Sequence, residues 1–478
     1  MSRGSTLIVT FDGLRRDRAT PELMPNLARF MAEGSNFLNS RSIFPSETRV
    51  AVTSTMTGCP PGDHGLVANQ FIHPFRPGEL FKTADWDHLE AAAQAGQLLD
   101  RLTLGQRMAA AGRTMAVLST ATKGASRMMN SSAHALDQPV FSMHGLPVSS
   151  AELHALVTAT LGDIPPPAAP NSNRMTYATD ALLEIIYPTY APDLCVFWMN
   201  DPDTSSHEFG VTAPETAQSQ KACDDNFGRI LDWWRAGHGP ENIIVMSDHG
   251  QITGQRQLAT LDIIPPAFGH ASIGAFSGIY LHDRSDSQKA EVVDWLVQQD
   301  FCGLVFASAE DGSAIAGALP WSAVRNEHPR NADIGFTLRS SNSSAQYGPD
   351  LDECLFASWI PVGGGMHGGL NKGELSTVLA AQGPAYRANF TSDTPCWLPD
   401  IAPTILTTMG LPLDGTAGRP LVEALAGNTP GFGQAPEVAT RVLSATHRGH
   451  EQHLRQWVID GQTIVDCGWT TGTGAWSQ

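Results

Sequence analysis

Residues 6–13 read TLIVTFDG: six residues of high β propensity that stop abruptly at an acid and a glycine. The same form recurs three times. Asp193–Met199 (DLCVFWM) runs into Asn200-Asp201-Pro202-Asp203, Asn242–Met246 (NIIVM) into Ser247-Asp248-His249-Gly250, and Leu355–Ile360 (LFASWI) into the glycine-rich stretch 363–369. Short apolar runs with helical stretches between them (Pro25–Glu33, Ser46–Thr57 and Lys221–Trp234) describe strands buried on both faces. The expected fold is therefore α/β, with a parallel central sheet flanked by helices. Ligands bind beyond the carboxyl ends of such strands, so the polar residues of all four turns are predicted to meet at one rim. Ser46, ahead of an Ala/Val/Met-rich run, is the expected N-cap of its helix.

Outward from these strands, 478 residues are enough for one large α/β core with additions. Residues 1–273 and 340–430 are read as that core and 274–339 as a small inserted α+β subdomain. The insert has strands at Gly278–Leu281 and near Gly303–Ala307, with a helix at Ser287–Gln298. Residues 431–478 form a C-terminal extension, with a β-hairpin expected around Asp460-Gly461 at the domain edge. His447, His450 and His453 have ligand-like spacing, but a polar helix face explains them more simply.

Charged residues make up only 16%, while 45 Gly and 32 Pro point to an enzyme rich in loops, not a coiled coil or disordered chain. The net charge of −18 and the lack of any Lys/Arg cluster argue against long nucleic acid as a partner. Small anions remain suitable, because bound cations reverse the local field. Seven scattered cysteines without a CxxC pair read as free thiols in a reducing compartment. The first strand begins too early to leave room for a signal peptide, and no apolar run approaches the roughly 18 residues of a membrane span. The expectation is a cytoplasmic protein without a membrane partner; oligomeric state is not legible.

The turns carry the chemistry. Asp12 follows the first strand, though Asp-Gly there is by itself an ordinary turn. Asp203 and His207, four apart on one predicted helical turn, face the same way and can share a cation; a cap plus a surface histidine explains them equally well. Asp248-His249 ends a strand at the same rim, and His367 lies among glycines that let its backbone approach a metal. Thr48, in the first turn of its helix, stands at the positive end of the dipole, beside amides suited to phosphate. Each piece alone has a structural explanation; their convergence is what counts. Three carboxylates, three imidazoles and one hydroxyl are what a two-metal phosphoryl-transfer site requires. Two divalent ions against three aspartates would also leave the site positive.

The segments VTFDGLRRD, MPNLARFMAEG, FPSETRVAVTSTMTG, DHGLVAN, NDPDTSSHEFG, MSDHG, GMHGGLNKGEL and LPDIAPTILTTMGLP, in this order, resemble the alkaline phosphatase superfamily. The branch is that of the nucleotide pyrophosphatase/phosphodiesterases, with the related phosphonoacetate hydrolases. The resemblance implies one zinc at Asp203, His207 and His367, and another at Asp12, Asp248 and His249. Thr48 is then the nucleophile and a secondary metal contact, and Asn69, with the Thr48 amide, holds a phosphoryl oxygen. The C/S-x-P-x-R signature of a sulfatase is absent, and the serine context of a cofactor-independent phosphoglycerate mutase does not match.

The chain departs from the nucleotide-cleaving pattern at Arg49, where the relatives carry an aromatic residue that stacks on the base. A guanidinium favours a second anionic group. Its alternative is to lie along the helix toward solvent. Lys123 and Arg127 fall where phosphonoacetate hydrolases carry carboxylate-binding lysines. The leading expectation is a two-metal hydrolase of a phosphodiester or nucleotide-like pyrophosphate, working through a phospho-threonine. The alternatives are a C–P hydrolase of a small carboxylated phosphonate, a phosphomonoesterase, and a non-catalytic metal- or ligand-binding relative. Zinc is the expected metal, although Asp/His ligands also take manganese or iron.

Overall fold

The computed structural model describes residues 4–72, 79–258, 263–274, 276–341, 352–427 and 436–472. Its centre is an eight-stranded sheet. In spatial order the strands are Phe390–Ser392, Ser35–Phe37, Leu379–Gln382, Asn242–Met246, Thr6–Phe11, Leu194–Met199, Met115–Ser119 and Val140–Ser142. The last five are mutually parallel, and Leu379–Gln382 runs antiparallel to its neighbours.

Alternate residues of each strand enter opposite cores, because successive side chains point to opposite faces. Ile8 packs in the core that holds Val50, Met56 and Ile405. Leu7, Val9 and Phe11 pack with Leu27, Phe30, Phe227 and Ile230. The helices Thr48–Thr57 and Ile401–Thr408 thus cover one face, and Pro25–Glu33 and Pro214–Arg235 the other. Covering both faces is what makes continuously apolar strands stable.

Two of the smaller sheets differ from expectation, and a third holds the strands and helix expected within 274–339. The run at 355–360 lies outside the central sheet. Its strand, Glu353–Phe356, pairs with Ile252–Gln257, which also binds Gly365–Met366. A short apolar run looks alike in a small sheet and a large one, so the segment itself does not distinguish them. Between 269 and 338, strands Gly269–Ser272, Phe276–Leu281, Ile334–Leu338 and Cys302–Phe306 form an antiparallel sheet backed by the helix Asp286–Leu296.

The C-terminal hairpin does turn at Asp460-Gly461, both at positive φ as a tight two-residue turn requires. It belongs, however, to a three-stranded sheet of Val438–His447, His450–Ile459 and Gln462–Gly472. His447, His450 and His453 therefore lie on strands, not on a helix. Nor is this sheet edge decoration. Leu454 and Val465 are buried with Phe44, Leu304 and Trp321, and Asp466 binds the buried Arg41 guanidinium. The boundary expected near 430 lies outside the described residues.

Candidate active site

Asn242–Met246, Thr6–Phe11 and Leu194–Met199 are adjacent and parallel, so the residues following them emerge side by side. Asp12 leaves the central strand with its amide bonded to Met199 O, and the Asp203 amide bonds back to Asp12 O. Gly13, at φ +69°, allows this approach: a Cβ on it would sit 2.9 Å from the Asp203 Cβ. Asp203 opens the helix Asp203–Phe209, which presents His207 on the same face. His367 follows the short strand Gly365–Met366, and a side chain on Gly365 would collide with Gln251 and Ser206.

The result is two groups of potential metal ligands, Asp203/His207/His367 and Asp12/Asp248/His249, whose donor atoms lie within 4.8 Å of one another in each group. The rings of His249 and His367 stack with centroids 3.7 Å apart, so the two groups adjoin.

All three imidazoles are oriented alike. Nδ1 of His207 faces Gly365 O at 2.6 Å, that of His249 faces Gly250 O at 3.1 Å, and that of His367 faces Ser46 O at 2.8 Å. A carbonyl only accepts, so each Nδ1 carries the proton and each Nε2 lone pair is left for the site. His207 Nε2 lies 3.2 Å and His367 Nε2 3.6 Å from Asp203 Oδ1. His249 Nε2 lies 3.2 Å from Asp248 Oδ2 and 3.7 Å from Asp12 Oδ1.

The carboxylates are held from behind. Trp198 Nε1 donates to Asp12 Oδ2 at 2.8 Å, the Gly13 amide to Asp248 Oδ1 at 3.0 Å, and Gln251 Nε2 to Asp203 Oδ1. Asp12 Oδ1 and Asp248 Oδ2 remain buried with no hydrogen-bond partner among the described residues. Orphaned buried carboxylate oxygens facing free imidazole lone pairs are a donor set that fits a divalent cation.

The charge balance agrees. Burial, then the neighbouring Asp248 and Asp203 charges, push the Asp12 carboxyl well above the usual range. Burial raises Asp248 to about 7, its bond from the Gly13 amide opposing. Burial lowers His249 to about 4 and, with His249 beside it, His367 to about 3. For Asp203, burial acts upward but is overcome chiefly by the adjacent His207, which holds it ionised and whose own pKa is raised in turn, against burial, by Asp203. Asp12 and Asp248 in particular lack a positive partner, and a cation beside them would supply it.

Thr48 is the first residue of the helix Thr48–Thr57, and its Oγ1 lies 3.2 Å from His249 Nε2. The N-cap is Glu47, not Ser46. Ser46 instead ties the helix entry to the His367 loop, donating to Gly369 O and accepting from the Gly368 amide, each at 3.0 Å.

A cavity of about 550 Å³ opens over these groups, lined by Asp12, Thr48, Arg49, Asn69, Asp203, His207 and His367. The buried Asn69 Oδ1 is unpartnered among the described residues, and the Asn69 amide donates to Glu47 Oε2 at 2.5 Å. Arg49 does not lie along the helix toward solvent: it is half-buried in the cavity wall, with Nε donating to Thr83 Oγ1 at 2.7 Å. Lys123 is exposed and does not line the cavity. Arg127 is buried and does not line it either, being bound to Glu90 Oε1 at 2.6 Å and to Ser131 O. The cavity instead gathers residues that no local pattern marks: Glu47, His144, Asn171, Arg174, Asn200 and the exposed indole of Trp359.

The sequence model of the type I phosphodiesterase / nucleotide pyrophosphatase family matches residues 6–334. The chain belongs to that family. Among solved structures it is similar to murine ectonucleotide pyrophosphatase/phosphodiesterase 5, an inactive threonine-to-alanine variant in complex with AMP. The TM-score is 0.63 at 16% identity, over 88% of this chain and all of that one. At that identity the likeness establishes the fold, a mostly parallel sheet flanked by helices, as in the ectonucleotide pyrophosphatases. Family membership places the chain among phosphodiester hydrolases and their kin.

Proposed function

We propose that this protein is a two-metal hydrolase that cleaves a phosphodiester or nucleotide-like pyrophosphate through a phospho-threonine. One observation carries the reading: the Thr48 hydroxyl stands 3.2 Å from His249 Nε2, at the boundary of two adjoining three-ligand groups. Asp12, Asp248 and His249, with Thr48 as a further contact, would hold one ion, and Asp203, His207 and His367 the other. Zinc suits these oxygen and nitrogen donors, as manganese or iron would. When bound, such ions lower the pKa of coordinated hydroxyls and share negative charge developing on phosphoryl oxygens.

Thr48 Oγ1 gives up its proton and attacks phosphorus, and the P–O bond to the leaving group, an alcohol or a phosphate, breaks as that oxygen takes a proton from solvent. Water then cleaves the phospho-threonine, restoring the Thr48 hydroxyl and releasing the monoester. Asn69 and the first amides of the Thr48 helix, which have no intrahelical partners, receive a phosphoryl oxygen. Arg49 offers a planar, permanently charged fork to an anion.

A second reading, C–P hydrolysis of a carboxylated phosphonate, is favoured only by the arginines of the cavity; Lys123 and Arg127 give it no support. On the same footing we place the protein in a reducing compartment such as the cytoplasm, since all seven cysteines are free and buried. Zinc-loaded protein assayed on an aryl phosphodiester, an aryl phosphomonoester and phosphonoacetate tests the reading. Preferred cleavage of the diester is expected, and preference for either other compound would overturn it.

A further inference from the structure

In an acidic protein, unpaired arginines inside a cavity need an explanation. Arg174, on the helix Ser172–Ala181, lines the cavity and is 9% exposed. Its Nε donates to Pro165 O at 2.7 Å, and it forms no ion pair among the described residues. A guanidinium is costly to bury without an anion, since it keeps its charge at any physiological pH. Burial lowers its pKa from the usual arginine value, with no carboxylate opposing the shift.

The surroundings are built, not incidental. Asn171 donates to Asn200 Oδ1 at 2.9 Å, and Thr120 donates to the same oxygen at 2.6 Å. The Asn171 amide donates to Asp201 Oδ2 at 2.8 Å, which ties this wall to the turn that carries Asp203. His144 lines the same wall and feels the charges of Arg174 and Lys123. Arg49 lines the same cavity and lies against the start of the helix Lys123–Met129: a Cβ on Gly124 would sit 3.0 Å from Arg49 Cδ. Arg49 too forms no ion pair among the described residues, although the buried Glu47 carboxyl lies near it.

We infer that Arg174 and His144, with Arg49 on the adjoining wall, form a subsite for a second anionic group, a carboxylate or a phosphate, carried by the substrate beyond its reacting phosphoryl group. The subsite deepens the proposed function and rests on it for the orientation of the substrate. The acidic surface repels such a dianion in general, and this wall with the metal groups opposite makes one place that accepts both charges. Arg174 is a binding residue on this account and touches no reacting atom.

The test separates binding from turnover. Zinc-loaded full-length protein with Thr48→Ala is titrated calorimetrically with phenylphosphonate, 4-carboxyphenylphosphonate and benzene-1,4-diphosphonate. The second anion should tighten binding by about 10- to 100-fold, as a charge-assisted hydrogen bond would. The two dianionic probes decide between carboxylate and phosphate as the preferred group. In Thr48→Ala with Arg174→Gln the ratio should fall to within about threefold of unity. A ratio near one in the starting protein, or a ratio that survives Arg174→Gln in folded protein, overturns the inference. Should the double variant not fold, Thr48→Ala with His144→Gln is read by the same ratio, which is then expected to fall at least severalfold. Failure of the phosphodiesterase reading would appear separately, as wild-type protein that cleaves no diester while the binding ratio persists.

Discussion

On the proposed reading, Thr48 and Trp198 divide the work of the site between attack and support. If Thr48 Oγ1 forms the bond to phosphorus, Thr48→Ala should lower kcat on an aryl phosphodiester by at least about a thousandfold. Metal content measured by atomic emission should stay near two ions, since six other ligands remain. Substantial residual turnover would point instead to direct attack by water. Trp198 acts from behind, through its 2.8 Å bond to Asp12 Oδ2. Partners of this kind orient a ligand and are worth roughly 10- to 100-fold in metal affinity. Trp198→Phe should weaken zinc binding by that factor in chelator competition, and unchanged affinity would remove Trp198 from the site. Neither residue's partner was legible locally: Trp198 reads as one more apolar residue of its strand, and the indole N–H finds Asp12 only when the strands at 6–11 and 194–199 pair. Gln251 and Arg174 were invisible for the same reason, whereas the aspartates and histidines are marked by standing where apolar runs stop.

The helix that carries Thr48 is anchored by a second histidine unrelated to the metal groups. His64, on the short helix Pro61–His64, is fully buried; its Nδ1 accepts the Leu66 amide at 3.1 Å and its Nε2 lies 2.8 Å from Ser54 Oγ. A backbone N–H only donates, so His64 is held neutral with its proton on Nε2. Burial, then the charges of His328, Arg330 and Arg101, hold its pKa well below 6.5. The sign follows: below about pH 6.5 the unfolded chain binds a proton that the folded chain refuses, so stability falls as pH falls. The contribution is complete above the unfolded pKa. NMR titration of the His64 ring should show the neutral form well below pH 6.5, and a transition near 6.5 would contradict this packing. Elements differed in legibility for a physical reason. Apolar runs such as 6–11 and 242–246 are buried on both faces and read directly. In His450–Ile459 the buried positions include Gln452 and Gln456, which are bonded to Val305, Gly317 and Ala323 carbonyls. Polar residues on the inward face hid the period-two pattern and left the histidines looking helical.

Across the molecule, the site draws on parts of the chain that are far apart in sequence and meet only in the folded state. Asp12, Asp203 and Asp248 end strands of the central sheet, His367 follows a strand of a smaller sheet, and Thr48 begins a covering helix. Metal binding should therefore report on global stability. An ion at a free concentration a thousandfold above its Kd stabilises the native state by about 4 kcal/mol, so two contribute about 8 kcal/mol. Unfolding entropy of ~2 cal/mol/K per residue gives about 1 kcal/mol per degree for a chain of this length. Zinc-loaded protein should then melt about 8 °C above chelator-treated protein. His367→Ala dismantles only the group shared with Asp203 and His207, so it should keep about half of that difference. A shift lost entirely in His367→Ala would mean one site spanning both groups, and a shift kept entirely would mean that His367 binds no ion. Absence of any shift in the wild type would leave the orphaned Asp12 and Asp248 oxygens without the cation their geometry fits, and the two-metal reading would fall with it.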